Sequence, residues 1–195
     1  MIRLATPDDA APIAAIYAPA VTDGVISFEL EPPDAEEMAR RIVKTLARTP
    51  WLVCDHAGGV LGYAYASAHR ERAAYRWSVD VSAYVRADVR RAGVARALYA
   101  SLFAVLARQG FRNAYAGVAL PNDASVGLHR AVGFTPVGVY RGVGYKLGAW
   151  HDVAWFERPL APRVAEPPEP VPLSALDAEV LRDALAAGEP LLRLS

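Results

Sequence analysis

The chain is nearly without cysteine: Cys54 is the only one among 195 residues. A single thiol forms no intramolecular disulfide and builds no cysteine-based zinc site. Such scarcity suits a reducing compartment, and a cytoplasmic location is the expectation. Net charge is missing too, since 21 Lys and Arg are set against 21 Asp and Glu. That balance removes the global basic field of a nucleic-acid binder. The N-terminus carries Asp8 and Asp9 where a signal peptide needs its apolar stretch. No uninterrupted apolar run reaches the length of a bilayer span, so no membrane partner is expected. His56, His69 and His151 have no metal-ligand spacing with one another, and no metal site is expected. What the sequence does have is apolar content of 53% against 22% charged residues, enough for a hydrophobic core at this length.

The hydrophobic pattern alternates between the helical and the extended period. Residues 2–5 predict a short strand. Thr6 then serves as an N-cap, Pro7 fits a first helical turn, and Ile13, Ile16, Tyr17 and Val21 follow helical spacing, with Pro12 expected to kink the helix. Asp34 with Glu37 three residues on predicts a second helix start. Residues 51–54 and 60–66 flank Ala57-Gly58-Gly59, which predicts a hairpin. Over 75–85, Trp77, Val79, Val81, Ala83 and Val85 alternate with Arg76, Ser78, Asp80, Ser82 and Tyr84. This is a strand with one apolar and one polar face, and Asp80 shares its face with Ser78, Ser82 and Tyr84. A helix follows over 94–109, closed by Gly110. A strand over 111–120, a short helix opened by Pro121-Asn122-Asp123, and strands over 134–139 and 153–157 complete the pattern. Beyond Pro159 the composition shifts. Five prolines between 162 and 172 predict a semi-rigid linker, and Ser174 opens a short amphipathic tail. The organisation read is a domain over 1–160 and a linker with tail over 161–195.

The segment Arg90-Arg91-Ala92-Gly93-Val94-Ala95-Arg96 joins a strand to a helix. Its small residues let a ligand approach the backbone, and the first N–H groups of the helix suit phosphate. It is neither a Walker loop nor a dinucleotide fingerprint. An Arg/Gln-x-x-Gly-x-Gly/Ala loop in this setting resembles the acetyl-CoA pyrophosphate loop of the GNAT N-acetyltransferases. Leu120-Pro121-Asn122-Asp123-Ala124-Ser125, Leu128-His129 and Gly133-Phe134 resemble the next motif of that superfamily. Residues 2–160 resemble one subfamily, the phosphinothricin and methionine sulfoximine/sulfone acetyltransferases. The supporting strings, in order, are Ser27-Phe28-Glu29, Pro50-Trp51-Leu52-Val53, Ala74-Tyr75-Arg76-Trp77, and Gly144-Tyr145-Lys146 through Trp150-His151-Asp152.

The resemblance implies an α/β fold whose mixed, largely antiparallel central sheet splays open at an acetyl-CoA cleft and is flanked by helices. Backbone groups of Ala83, Tyr84 and Val85 would face the pantetheine arm, and residues 90–96 would cradle the pyrophosphate. Asn122 would lie near the thioester, and Ala131 is placed among the cofactor contacts. The implied chemistry is direct attack of an amine on the thioester, with a carboxylate taking the proton directly or through water. The family carries glutamate at position 80, and this chain carries the shorter Asp80. Val85 N–H is the candidate oxyanion donor, and His129 the candidate acid for the leaving thiolate. Arg70 and Arg72, with Ala73 and Ala74 beside them, are candidates for a substrate carboxylate, and the resemblance makes Arg72 the better match. Phe28, Tyr75 and Trp77 would wall the rest of the substrate. A homodimer is typical of the family. The readings kept beside this one are another amine (a polyamine, an aminoglycoside or a protein N-terminus) and a non-catalytic acyl-CoA sensor.

Overall fold

A computed structural model describes residues 1–194. Seven strands form one sheet in the order β1-β2-β3-β4-β5-β7-β6. They are β1 (Ile2–Leu4), β2 (Trp51–His56), β3 (Gly59–Ala68), β4 (Ser78–Val85), β5 (Asn113–Ala119), β6 (Thr135–Lys146) and β7 (Ala149–Pro159). Every neighbouring pair is antiparallel except β4 and β5. That parallel pair is short: Ser78 lies opposite Asn113, Val79 opposite Ala114, and Asp80 opposite Tyr115. Past Asp80, β4 runs on to Val85 paired with β3 alone, while β5 runs on to Ala119 paired with β7 alone. The sheet therefore divides into two arms, as the resemblance implies.

Helices cover both faces. On one, α1 (Ala10–Thr22) and α2 (Ala35–Leu46) bury Ile13, Tyr17, Val21, Met38 and Ile42 against Trp51, Val53 and Tyr63. On the other, α3 (Val94–Gln109) buries Val94, Leu98, Leu102 and Leu106 against Leu52, Ala64, Val79 and Val81. The alternation along β4 sorts its side chains accordingly: Val79 and Val81 join the α3 core, and Tyr84 packs toward α1 and α2. Each helix start has its local cause. Asp34 accepts the Glu37 N–H at 2.8 Å, and Asn122 accepts the Ser125 N–H at 3.1 Å to open α4 (Asp123–Ala131).

Three sequence expectations need correction here. Pro12 does not kink α1, because it falls in the first turn, where its missing N–H has no intrahelical partner to lose; Pro19 is the proline inside the helix. β4 starts at Ser78, since Ala73–Tyr75 is wound into a 3-10 turn. Strands β6 and β7 run well past the predicted segments, because register shifts between Pro136 and Gly138 and between Tyr140 and Gly144 break the period-two pattern.

The tail docks on its own domain. Helix α5 (Ala178–Ala186) begins later than Ser174 suggests, capped by Asp177, while Leu173 is buried with Val105 and Ala184. Ser101 Oγ donates to the Leu185 carbonyl at 2.6 Å and accepts the Gly188 N–H at 3.0 Å. Glu189 accepts the Ile2 N–H at 3.0 Å. Leu192 and Leu194 pack against the main core, and Arg193 N–H donates to the Ala92 carbonyl at 2.9 Å. Residues 192–194 are thereby tied to the core and to the loop that opens α3.

Candidate active site

The two arms part at Asp80. The β3–β4 register decides which backbone groups line the opening. Arg86 N–H donates to the Leu61 carbonyl and His69 N–H to the Ser78 carbonyl. With Gly62 opposite Val85, antiparallel alternation makes the even-numbered residues of β4 the hydrogen-bonded partners of β3. Ala83 and Val85 therefore turn N–H and C=O toward the cleft, ready for an extended polar chain. Tyr84 does not: its backbone is used by Tyr63, and its ring stacks on the same residue at 5.3 Å. The expectation that residues 83, 84 and 85 all present backbone groups is corrected to Ala83 and Val85.

The loop ahead of α3 is shaped by two left-handed residues, Arg91 at φ +69° and Gly93 at φ +81°. Gly93 N-caps α3 without a side-chain bond, so the first N–H groups of the helix stay available. Arg90, Arg91 and Arg96 are exposed around them, Ala92 and Ala95 half-buried, and Val94 buried in the core. This arrangement fits a pyrophosphate: unpaired donors, a helix N-terminus and positive charge at one place. Gly93 has a second constraint, for a Cβ there would collide with the Leu191 carbonyl of the docked tail. Asn122 spends its side-chain oxygen on the α4 cap, and Ala131 stands exposed in the last turn of that helix.

Asp80 has a partner that sequence reasoning missed. His69 Nδ1 lies 2.6 Å from Asp80 Oδ1, with the side chains 14% and 29% exposed. The imidazole stacks on Tyr115 at 4.4 Å and meets Tyr75 and Trp155 edge-on at 5.9 and 6.1 Å. Burial pushes the Asp80 carboxyl above its ordinary range, against the opposing pull of His69 and Arg70.

Beside this pair, on the same sheet face, lies a hollow of about 390 Å³ lined by Ile26, Phe28, Gly117, Val153 and Trp155 among others. Phe28 is held by its flanks. Tyr17 Oη bonds Ser27 Oγ at 2.7 Å and donates to Glu29 at 2.9 Å, and Arg41 forks onto Glu29. The buried Lys146 donates to the Val21 and Ser27 carbonyls at 2.6 and 2.8 Å. Gly144 lies directly beneath the Phe28 ring, where any Cβ would collide with it. The strings Ser27-Phe28-Glu29 and Gly144-Tyr145-Lys146 thus build one wall.

The remaining expected residues separate. Arg70 sits with its guanidinium 5.7 Å from the Trp155 ring centre and gives one N–H to the His69 carbonyl. Tyr75 is near, through His69. Arg72, Ala73 and Ala74 are exposed on the 3-10 turn. Trp77 is no substrate wall: it lies on the α3 side of the sheet by strand alternation, and its indole N–H donates to the Pro168 carbonyl of the linker at 2.8 Å. His129 is buried on that side as well. Its Nδ1 is 2.7 Å from the Ser125 carbonyl and so carries the proton, Nε2 accepts from Tyr99 Oη at 3.1 Å, and burial lowers its pKa.

A divided sheet with free β4 backbone, a cationic helix N-terminus and a carboxylate at the fork suit the acyl-CoA-using transferase that the resemblance implies. Comparison with known proteins agrees. The acetyltransferase (GNAT) domain model matches residues 2–155. A phosphinothricin N-acetyltransferase of Alcaligenes faecalis is 43% identical over 161 residues, covering 82% of each chain. An L-methionine sulfoximine/L-methionine sulfone acetyltransferase of Pseudomonas aeruginosa is 35% identical over 168 residues, 85% of this chain and 98% of that one. The crystal structure of a GNAT phosphinothricin acetyltransferase from Sinorhizobium meliloti, in complex with acetyl-CoA, superposes with a TM-score of 0.79 at 37% identity, covering 88% of this chain and 92% of that one. The chain belongs to the GNAT acetyltransferase family, and acetyl-CoA is its co-substrate.

Proposed function

We propose that the chain moves the acetyl group of acetyl-CoA to the α-amine of a small amino-acid analogue of the phosphinothricin or methionine sulfoximine/sulfone type. The observation that carries this reading is Arg70 over the Trp155 ring, next to the His69–Asp80 pair, at a hollow walled by Phe28 and Trp155. A guanidinium suits the substrate carboxylate, the Asp80 centre suits the amine next to it, and apolar walls suit a short side chain. The names of the relatives point the same way.

In this reading the amine gives up a proton at the Asp80 centre and attacks the thioester carbon. The carbonyl oxygen takes negative charge opposite the Val85 N–H. C–N bond formation and C–S bond cleavage then yield the amide and the thiol. His129 is the candidate acid for the thiolate, and to serve it must exchange its Ser125 carbonyl or Tyr99 hydroxyl partner. A homodimer finds support in the β6–β7 hairpin, which leaves Val137, Val143, Tyr145, Leu147 and Trp150 more than half exposed along one edge of the sheet.

The experiment is thiol release from acetyl-CoA over an amine panel of phosphinothricin, methionine sulfoximine, methionine sulfone, spermidine and a short peptide. The expected result is turnover on the amino-acid analogues with kcat/KM at least about 10²-fold above the polyamine. Turnover confined to spermidine or the peptide would overturn the substrate class. Tight acetyl-CoA binding with no turnover on any amine would favour the sensor reading.

A further inference from the structure

Resting on the transfer reaction proposed above, we propose that His69 is the group that takes the amine's proton, with Asp80 as its positioning partner. A carboxylate one methylene shorter than the family's glutamate is set back from the cleft, and here it does not face the cleft alone. A carboxylate only accepts, so the 2.6 Å contact fixes the proton of neutral His69 on Nδ1 and leaves the Nε2 lone pair free. Nε2 has no hydrogen-bond partner among the described residues, whereas His129 has both nitrogens engaged.

The ring's neighbours also set its place. Its stack on Tyr115 puts it over the residue opposite Asp80, at the last pairing before the arms separate. Trp155, edge-on at 6.1 Å, belongs to the wall of the hollow. The imidazole thus lies between the cofactor cleft and the substrate hollow. Arg70 gives one N–H to the His69 carbonyl and lies over the Trp155 ring, so a guanidinium that suits a carboxylate shares the wall of the hollow with the imidazole.

The proton balance is complete without a further reactant. His69 Nε2 takes one proton from the substrate ammonium as the nitrogen lone pair is freed. The C–N bond forms and the C–S bond breaks. The second N–H proton leaves as the amide forms. One of these two protons ends on the thiolate and the other goes to solvent. The charged or titratable groups around the ring are Asp80 from β4, Arg70 and Tyr75 from its own loop, and Tyr115 from β5. Glu157, opposite Tyr115 on β7, faces Arg163 at 3.8 Å.

The test compares His69→Gln, His69→Phe and Asp80→Asn with the wild type on methionine sulfoximine across pH. Melting temperature and acetyl-CoA Kd serve as controls on folding and on the cleft. His69→Gln keeps a donor for Asp80 but cannot take up a proton. The expected result is a loss in kcat of about 10²-fold or more in both His69 variants, with acetyl-CoA Kd unchanged, the acid limb of the pH profile displaced, and partial recovery with added imidazole. An active wild type with an inactive Asp80→Asn, together with a His69→Gln variant within threefold of wild type and an unmoved pH profile, would overturn the inference and leave the transfer reaction standing. A wild type inactive on every amino-acid analogue would instead remove the reading beneath it.

Discussion

Asp80→Asn is expected to lower kcat/KM by about 10²- to 10⁴-fold while leaving the fold as stable as before or more so. Both halves follow from one environment. The carboxylate stands where β4 and β5 separate, bonded to His69. An amide at this position carries no negative charge to hold the His69 proton on Nδ1 or to stabilise the imidazolium that forms when Nε2 takes the amine's proton. The stability half follows from the direction of its titration. Burial raises the folded-state pKa of Asp80 above its unfolded value, so the folded state holds the proton more tightly. That contribution is fully present at low pH and is lost as pH rises through the folded pKa. At neutral pH the ionised form is therefore an unfavourable one that the neutral amide relieves. Steady-state kinetics with acetyl-CoA Kd, and urea unfolding at two pH values, check the two halves separately. Loss of activity accompanied by a comparable loss of stability would mean that Asp80 is a structural residue.

Gly93→Ala is expected to weaken acetyl-CoA binding about tenfold or more and to destabilise the fold by about 2–4 kcal/mol. The backbone at φ +81° costs about 1–2 kcal/mol with a side chain. The added methyl collides with the Leu191 carbonyl, a backbone group that moves only if the tail shifts. Such a shift breaks the Arg193–Ala92 bond and uncovers Leu192 and Leu194. The same loop presents the N–H groups at the start of α3, so tail and cofactor site are expected to fail together. Urea unfolding gives the stability and isothermal titration gives the Kd. A destabilised variant with unaltered Kd would confine the tail to a structural role.

Much of this arrangement was legible because local chemistry decides it. Helix α3 spans 94–109 as its apolar spacing and Gly110 predict, with Gly110 at φ +98°. The Asn122 cap and the polar face of Asp80 are equally local. What was not legible depends on register and on distant segments. His69 lies diagonally across the β3–β4 pair from Asp80, because Ser67 is opposite Asp80 and His69 opposite Ser78. Numbering the residues between the two strands would have aligned them, had the strand ends been known. Trp77 reads as a pocket aromatic until strand alternation and the linker carbonyl of Pro168 claim it. The second constraint on Gly93 comes from a residue about a hundred positions away.

Acetyl transfer is expected to end on the α-nitrogen of an amino-acid analogue. The most direct measurement incubates the protein with [1-¹³C]acetyl-CoA and α-¹⁵N-labelled methionine sulfoximine and follows the product by NMR. The expected product shows an amide carbonyl carbon coupled through one bond to the labelled nitrogen, formed by the wild type and lost in Asp80→Asn. Labelled acetate alone, or label on any other atom of the substrate, would contradict it.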